Sequence, residues 1–189
     1  MTMRERASRY GAAQRRIIVA ALDLFVDHGV SGTSLQMIAD AVGVTKAAVY
    51  HQFPTKEEIV LAVTEVELQR LEEALEVAEA EESATRGREI LLRRVIDIAV
   101  ERRRAVTTLQ SDPVIIRFLG EQPQFQQLIV RLFTVLLGDE PGPRARVRVA
   151  VLTAAIGGAV AHPFVADLDD DTLRAELLHV TRRLIMLPG

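Results

Sequence analysis

The sequence contains no cysteine and no tryptophan, and only 2 tyrosines and 6 phenylalanines among 189 residues. Without cysteine there is no disulfide framework, no thiolate nucleophile and no cysteine-based metal centre. The longest apolar stretch, Val149–Ala161, falls short of the roughly 20 residues that span a bilayer and reads as a buried core helix. Met1–Gln14 carries arginines but no apolar run, so it does not read as a secretory signal. A soluble, cytoplasmic protein with no membrane partner is expected. The enzyme signatures G-x-S-x-G, P-loop, Rossmann glycine fingerprint and H-E-x-x-H are also missing. His28, His51, His162 and His179 are scattered, with no i, i+4 partner, so no metal site and no cofactor is expected. An enzyme is a distant second class; a constellation assembled from separate helices would escape this reading.

What is present is 49% hydrophobic and 26% charged, enough for one good core or a small domain beside a larger one. The net charge of −3 speaks by itself against nucleic-acid binding, but its distribution reverses the inference. Residues 1–56 carry 7 Lys/Arg against 4 Asp/Glu, and residues 57–189 carry 16 against 22. A basic N-terminal segment on an acidic body is the asymmetry expected where one end meets phosphate.

The stretch Thr33–Phe53 organises the chain. Leu35, Ile38, Ala39 and Val42 have the spacing of a one-faced amphipathic helix. Either Thr33 or Ser34 can cap it: Thr33 faces Gln36 at capping-box spacing, and Ser34 faces Met37. Gly43 ends it. Thr45 is a second N-cap candidate, Lys46–Phe53 a second short helix, and Pro54 its stop. Two short helices around a glycine turn read as a helix-turn-helix. If Ala48, Val49 and Phe53 face inward, the outer face holds Thr45, Lys46, Ala47, Tyr50 and His51. That mixture offers donors for phosphates and base edges, and small residues that let a helix enter the major groove. Lys46 lies in a first turn, where the helix dipole disfavours a cation by about 0.3–1 kcal/mol. A nearby phosphate would explain it. A plain core hairpin is the competing reading of the same pattern.

Gly43–Val63, GVTKAAVYHQFPTKEEIVLAV, resembles the N-terminal signature of the TetR family of bacterial transcriptional regulators. So does the run from Ile17 through Phe25 and Gly29 to Thr33, Ile38 and Ala39; together the likeness covers roughly Arg15–Val63. The resemblance implies an all-α fold with a three-helix DNA-binding domain, residues 1–54, and a helical ligand-binding and dimerisation domain, residues 55–189. It implies that Thr33 and Ser34 touch phosphates, that Thr45, Lys46 and Ala47 enter the groove, and that Tyr50, His51 and Lys56 hold the backbone. The function it implies is a homodimeric, ligand-responsive regulator on a double-stranded, pseudo-palindromic operator, most often a repressor released by a small-molecule effector. An activator of the same fold, or a helical interaction module without DNA binding, is the alternative.

Around the motif, Met1–Gln14 reads as a mobile arm whose Arg4, Arg6 and Arg9 either reach the minor groove or simply fray. Arg15–His28 is a helix ended by Gly29. Thr55 and Glu58 open a long helix at capping-box spacing, with Ile59, Val63, Val66, Leu68, Leu71 and Leu75 on its apolar face. Lys56 repeats the cation in a first turn. Glu79–Arg88 reads as a loop, Glu89–Arg104 as a helix, and Asp112-Pro113 as an N-cap followed by Pro at N1. Ala154, Ala155 and Gly158 lie in a helix of small residues, and Leu177 and Leu184 in a last helix capped from Asp169–Asp171. These suit an intersubunit bundle of two helices from each chain. Candidates for the effector pocket are Thr107, Thr108, Gln110, Arg117, Phe118, Phe125 and Phe133, residues that in such positions are more often ordinary core or surface. With no Trp and no Tyr beyond Tyr50, the pocket suits an aliphatic or mixed metabolite more than a planar aromatic one.

Overall fold

The computed structural model describes residues 9–137 and 142–184, without the side chains of 107, 109, 110, 145, 146, 149 and 184. Among the described residues every regular element is helical. The elements are α1 (Ala12–Gly32), α2 (Leu35–Val42), α3 (Lys46–Gln52), α4 (Lys56–Glu79), α5 (Ala84–Glu101), α6 (Arg103–Ser111), α7 (Pro113–Glu121), α8 (Pro123–Leu137), α9 (Pro143–Val160) and α10 (Asp170–Leu184), with a 3-10 turn at Pro163–Val165.

The helices fall into two compact units. One comprises residues up to Gln69 together with Thr108–Gln124; the other comprises Arg70–Thr107 and the residues from Phe125 onward. The expected boundary at 54/55 therefore lies inside the first unit, which takes in the first half of α4 and all of α7.

In the first unit, α1 buries Ile17, Ile18, Ala21, Leu22 and Phe25 against α2 and α3. Ile38, Ala39, Val49 and Phe53 complete this core. Helix α1 begins earlier than expected because the Gln14 side chain accepts the Gly11 amide at 3.1 Å. Tyr10 is fixed as well: its hydroxyl donates to Glu65 Oε2 at 2.6 Å, and its ring lies 6.1 Å from that of Phe53. Arg4 and Arg6 of the expected mobile arm lie outside the described residues. Gly29 does break α1, at φ 70° and ψ 165°, but one further helical turn follows it.

In the second unit, α5 packs against α9 and α10, which also meet each other. Leu91, Leu92, Ile96, Leu152, Ile156, Leu173 and Leu177 are buried. Helix α5 starts at Ala84, within the expected loop, because Ser83 Oγ accepts the Arg86 amide at 3.4 Å. Gly87 sits where an added Cβ would be 2.4 Å from the Ala78 carbonyl oxygen, so the close approach of α4's end demands glycine. The expected single helix to Arg104 is interrupted at Arg102, and α6 follows as a separate element. On α4 the buried set departs from expectation: Glu65 and Glu72 are buried, whereas Val66, Leu68 and Leu71 are half-exposed. Arg131 accounts for part of this, contacting Glu72 at 3.8 Å and Glu79 at 2.6 Å. Those carboxylates, led by the Glu79 hydrogen bond, raise the guanidinium pKa.

Candidate nucleic-acid interface

Helices α2 and α3 meet through a three-residue turn. Ser34 caps α2, its Oγ accepting the Met37 amide at 3.2 Å. Gly43 closes α2 in the left-handed region, φ 74° and ψ 40°, a conformation in which a Cβ is costly. Thr45 caps α3, its Oγ1 accepting the Ala48 amide at 3.2 Å. Of the two capping choices, Ser34 is the one used.

Helix α1 holds both motif helices by their C-terminal ends. Arg16 donates to the Val42 carbonyl at 2.9 Å, and Gln14 Nε2 to the Gln52 carbonyl at 3.4 Å. These groups are orphan acceptors at a helix end, and a cation there suits the dipole.

This scaffold turns one face of α3 outward. Thr45, Lys46, Ala47, Ala48, Tyr50 and His51 are all exposed, and Val49 is the buried residue of the helix. Ala48 was expected inward and is not; a helix of 7 residues has room for one full apolar anchor, and the inner wall is finished by Phe53 beyond it. Lys46 Nζ stands 5.7 Å from the Tyr50 ring centroid. Ser34 is exposed, and Lys56 is half-buried in the first turn of α4, where Thr55 Oγ1 accepts the Glu58 amide at 3.2 Å.

Thr33 does not join this face. It is buried, and its hydroxyl donates to the carbonyls of Gly29 at 2.8 Å and Leu24 at 3.2 Å. Its side chain therefore holds the broken turn of α1 and is spent before any phosphate could use it. A resemblance by position could not separate it from its neighbour Ser34.

The family model described as bacterial regulatory proteins, tetR family, matches residues 17–63, which take in most of α1, all of α2 and α3 and the start of α4. The match is confined to this segment, which is similar to tetR-family proteins. The HTH-type transcriptional regulator RutR of Escherichia coli (strain K12) is 39% identical over 62 residues, covering 33% of this chain and 29% of RutR. The HTH-type transcriptional regulator SrpR of Pseudomonas putida is 45% identical over 60 residues, covering 32% of this chain and 28% of SrpR. The matched segment thus spans less than a third of these relatives. A TetR-like transcriptional regulator from Rhodococcus sp. RHA1 shares the fold at a TM-score of 0.71 and 21% identity, covering 93% of this chain and 97% of that one.

Outside this TetR-family segment the expected sites fare unevenly. Phe125 is solid core, Thr108, Phe118 and Phe133 are half-buried, and Arg117 is exposed. The side chains of Thr107 and Gln110 lie outside the described residues. A groove of about 340 Å³ opens elsewhere, between α5 and α10, lined by Arg93, Ile96, Asp97, Asp171, Arg174, Ala175 and Leu178. Arg174 is already paired there with Asp171 at 3.0 Å and Asp97 at 3.6 Å.

Of the expected interface residues, Ala154, Ala155 and Gly158 are exposed on α9. Leu177 instead belongs to the chain's own core, and the Leu184 side chain lies outside the described residues. Sequence reading missed that Val147 and Val151, 61% and 50% exposed, extend the α9 face. Val147, Val151, Ala154, Ala155 and Gly158 follow i, i+4, i+7, i+8, i+11, a single helical stripe. Among the described residues no helix is long and apolar enough to cross a membrane.

Proposed function

We propose that this chain is a sequence-specific DNA-binding transcriptional regulator rather than an enzyme, acting as a homodimer on a pseudo-palindromic operator. The observation that carries the reading is the outward face of α3: Lys46, Ala47, Tyr50 and His51 are exposed together on a short helix clamped by α1. Lys46, Tyr50 and His51 serve phosphates and base edges, and Ala47 lets the backbone approach the groove. Ser34, Thr45 and Lys56 add phosphate contacts from neighbouring helix starts.

The homodimer reading is supported by the exposed α9 stripe, since contiguous apolar surface on a helix calls for a partner. Two recognition helices then meet successive major grooves roughly 34–36 Å apart. Regulation is repression, relieved by a small molecule that prefers the state fitting DNA poorly. The effector is an aliphatic or mixed metabolite held by the C-terminal helices.

The test is a titration of an inverted repeat recovered from the genome. Two protomers should bind per repeat, and scrambling one half-site should lower affinity by at least tenfold. Equal affinity for intact and scrambled duplexes would remove the reading.

A further inference from the structure

Where Gly29 breaks α1, the next amide is met by a side chain 82 positions away: Asp112 Oδ2 accepts the Val30 amide at 2.8 Å. The other oxygen of the same carboxylate, Oδ1, takes the amides of Val114 at 2.8 Å and Ile115 at 3.3 Å. One side chain thus caps two helix segments, the start of α7 and the restarted end of α1.

The turn it holds leads straight into the motif. The Val30 carbonyl accepts the Thr33 amide at 3.3 Å, the Gly29 carbonyl accepts the Thr33 hydroxyl at 2.8 Å, and Ser34, the next residue, caps α2. Helix α7 belongs to the compact unit of the DNA-binding helices, yet the chain enters it from the other unit and returns there, at 107/108 and 124/125. The backbone therefore joins α7 directly to α6 on one side and α8 on the other.

Resting on the DNA-binding reading above, we propose that Asp112 is a positioning residue that couples α7 to the start of the helix-turn-helix. The state of α7 sets the seat of α2 through Val30 and Thr33, and DNA binding is felt in return at α7. The return effect is required, because coupling between two sites is reciprocal.

That reciprocity makes the test independent of any effector. Hydrogen exchange of the full-length protein is followed by mass spectrometry with and without the inverted-repeat duplex, for wild type, Asp112→Asn and Asp112→Ala. Asparagine caps a helix about as well as aspartate, but its amide nitrogen replaces one of the two acceptor oxygens. Whichever way the amide turns, the double contact is lost while a cap is kept. In wild type the duplex should slow exchange in the first turn of α7 roughly tenfold, the scale of a hydrogen bond to a charged group. In Asp112→Asn the protein should fold and still bind, roughly fivefold more weakly, and the slowing at α7 should disappear. Asp112→Ala should lose the same slowing and show faster exchange at α7 even without DNA.

A wild-type protein that binds the duplex with no change at α7, or an Asp112→Asn protein that slows α7 as wild type does, would overturn the coupling role and leave the DNA-binding reading standing. A purely structural role would lower the melting temperature of the variants but keep the DNA-dependent slowing. Wild-type protein that binds no duplex would remove both readings together.

Discussion

Lys46 Nζ lies 5.7 Å from the centre of the Tyr50 ring, one helical turn along the exposed face of α3. A cation over an exposed ring contributes about 0.5–1 kcal/mol, which offsets the dipole penalty of about 0.3–1 kcal/mol for a cation in a first turn. Lys46 is thus tolerable in the free protein without a phosphate, and its position alone does not demand one. The pair is nonetheless held ready, with both groups presented from one face.

Changing Lys46→Ala and Tyr50→Phe together should weaken operator binding about 30-fold, from loss of two phosphate-directed groups. The dependence of log affinity on log salt should flatten by about 0.9 for the lost lysine contact. Both residues are exposed, so the melting temperature should stay within about 2 °C. Anisotropy titrations across a salt series, with thermal melts alongside, measure both quantities. A large fall in melting temperature would mean the pair is structural.

Two glycines of the motif should differ in what they tolerate. Gly43 lies in the left-handed region at φ 74°, ψ 40°, with open space where a Cβ would go. Gly43→Ala should cost about 1 kcal/mol, and Gly43→Asn less. Gly29 lies at φ 70°, ψ 165°, with a Cβ position 3.5 Å from Asp112 Oδ2. That backbone region is essentially closed to other residues, so Gly29→Ala should cost about 2–3 kcal/mol and asparagine should not rescue it. Urea unfolding of the alanine and asparagine variants at both positions decides the order.

Gly158→Leu probes the assembly. An added Cβ there meets nothing within 4 Å in the chain itself. The isolated fold should therefore accept leucine, while a dimer closed along the α9 stripe should be overpacked by about 1–3 kcal/mol. Sedimentation equilibrium should show weaker dimerisation with helicity unchanged. An unaltered dimer would place the contact elsewhere.

Asp169 links α10 to pH. Its carboxylate accepts the Thr172 amide at 2.9 Å and the Thr172 hydroxyl at 2.8 Å, and these bonds, the amide first, hold its pKa below the ordinary value. A depressed folded-state pKa contributes stability that is complete above the unfolded value and lost as pH falls through the folded one. The melting-temperature gap between wild type and Asp169→Ala should be constant from about pH 5 upward and should close below about pH 4. Melts across that range test it.

What was legible in the sequence was local. The caps at Ser34, Thr45, Asp112 and Asp169 and the closing Gly43 act within a few residues of themselves, and their chemistry is visible in a short window. The outward face of α3 followed from the same local rule, apart from Ala48. What was not legible joins distant residues. Tyr10 with Glu65 and Asp112 with Val30 are 55 and 82 positions apart, and no periodicity announces them. The buried Glu65 and Glu72 break the apolar pattern of α4 because long-range partners satisfy them, Tyr10 for one and Arg131 for the other. Thr33 and Ser34 are both polar and adjacent, and only the break at Gly29 decides which turns inward. The role of the expected pocket residues is not legible for a related reason: half-buried aromatics look alike in sequence whether they line a cavity or fill a core.

The most direct test of the account is capture of genomic DNA fragments by the purified protein, followed by sequencing, with the Lys46→Ala, Tyr50→Phe double variant as control. Because a retained effector would release DNA, the protein is refolded before use. The account predicts recovery of a shared inverted repeat that the variant loses. No enrichment over the variant, or equal recovery by both, would contradict it.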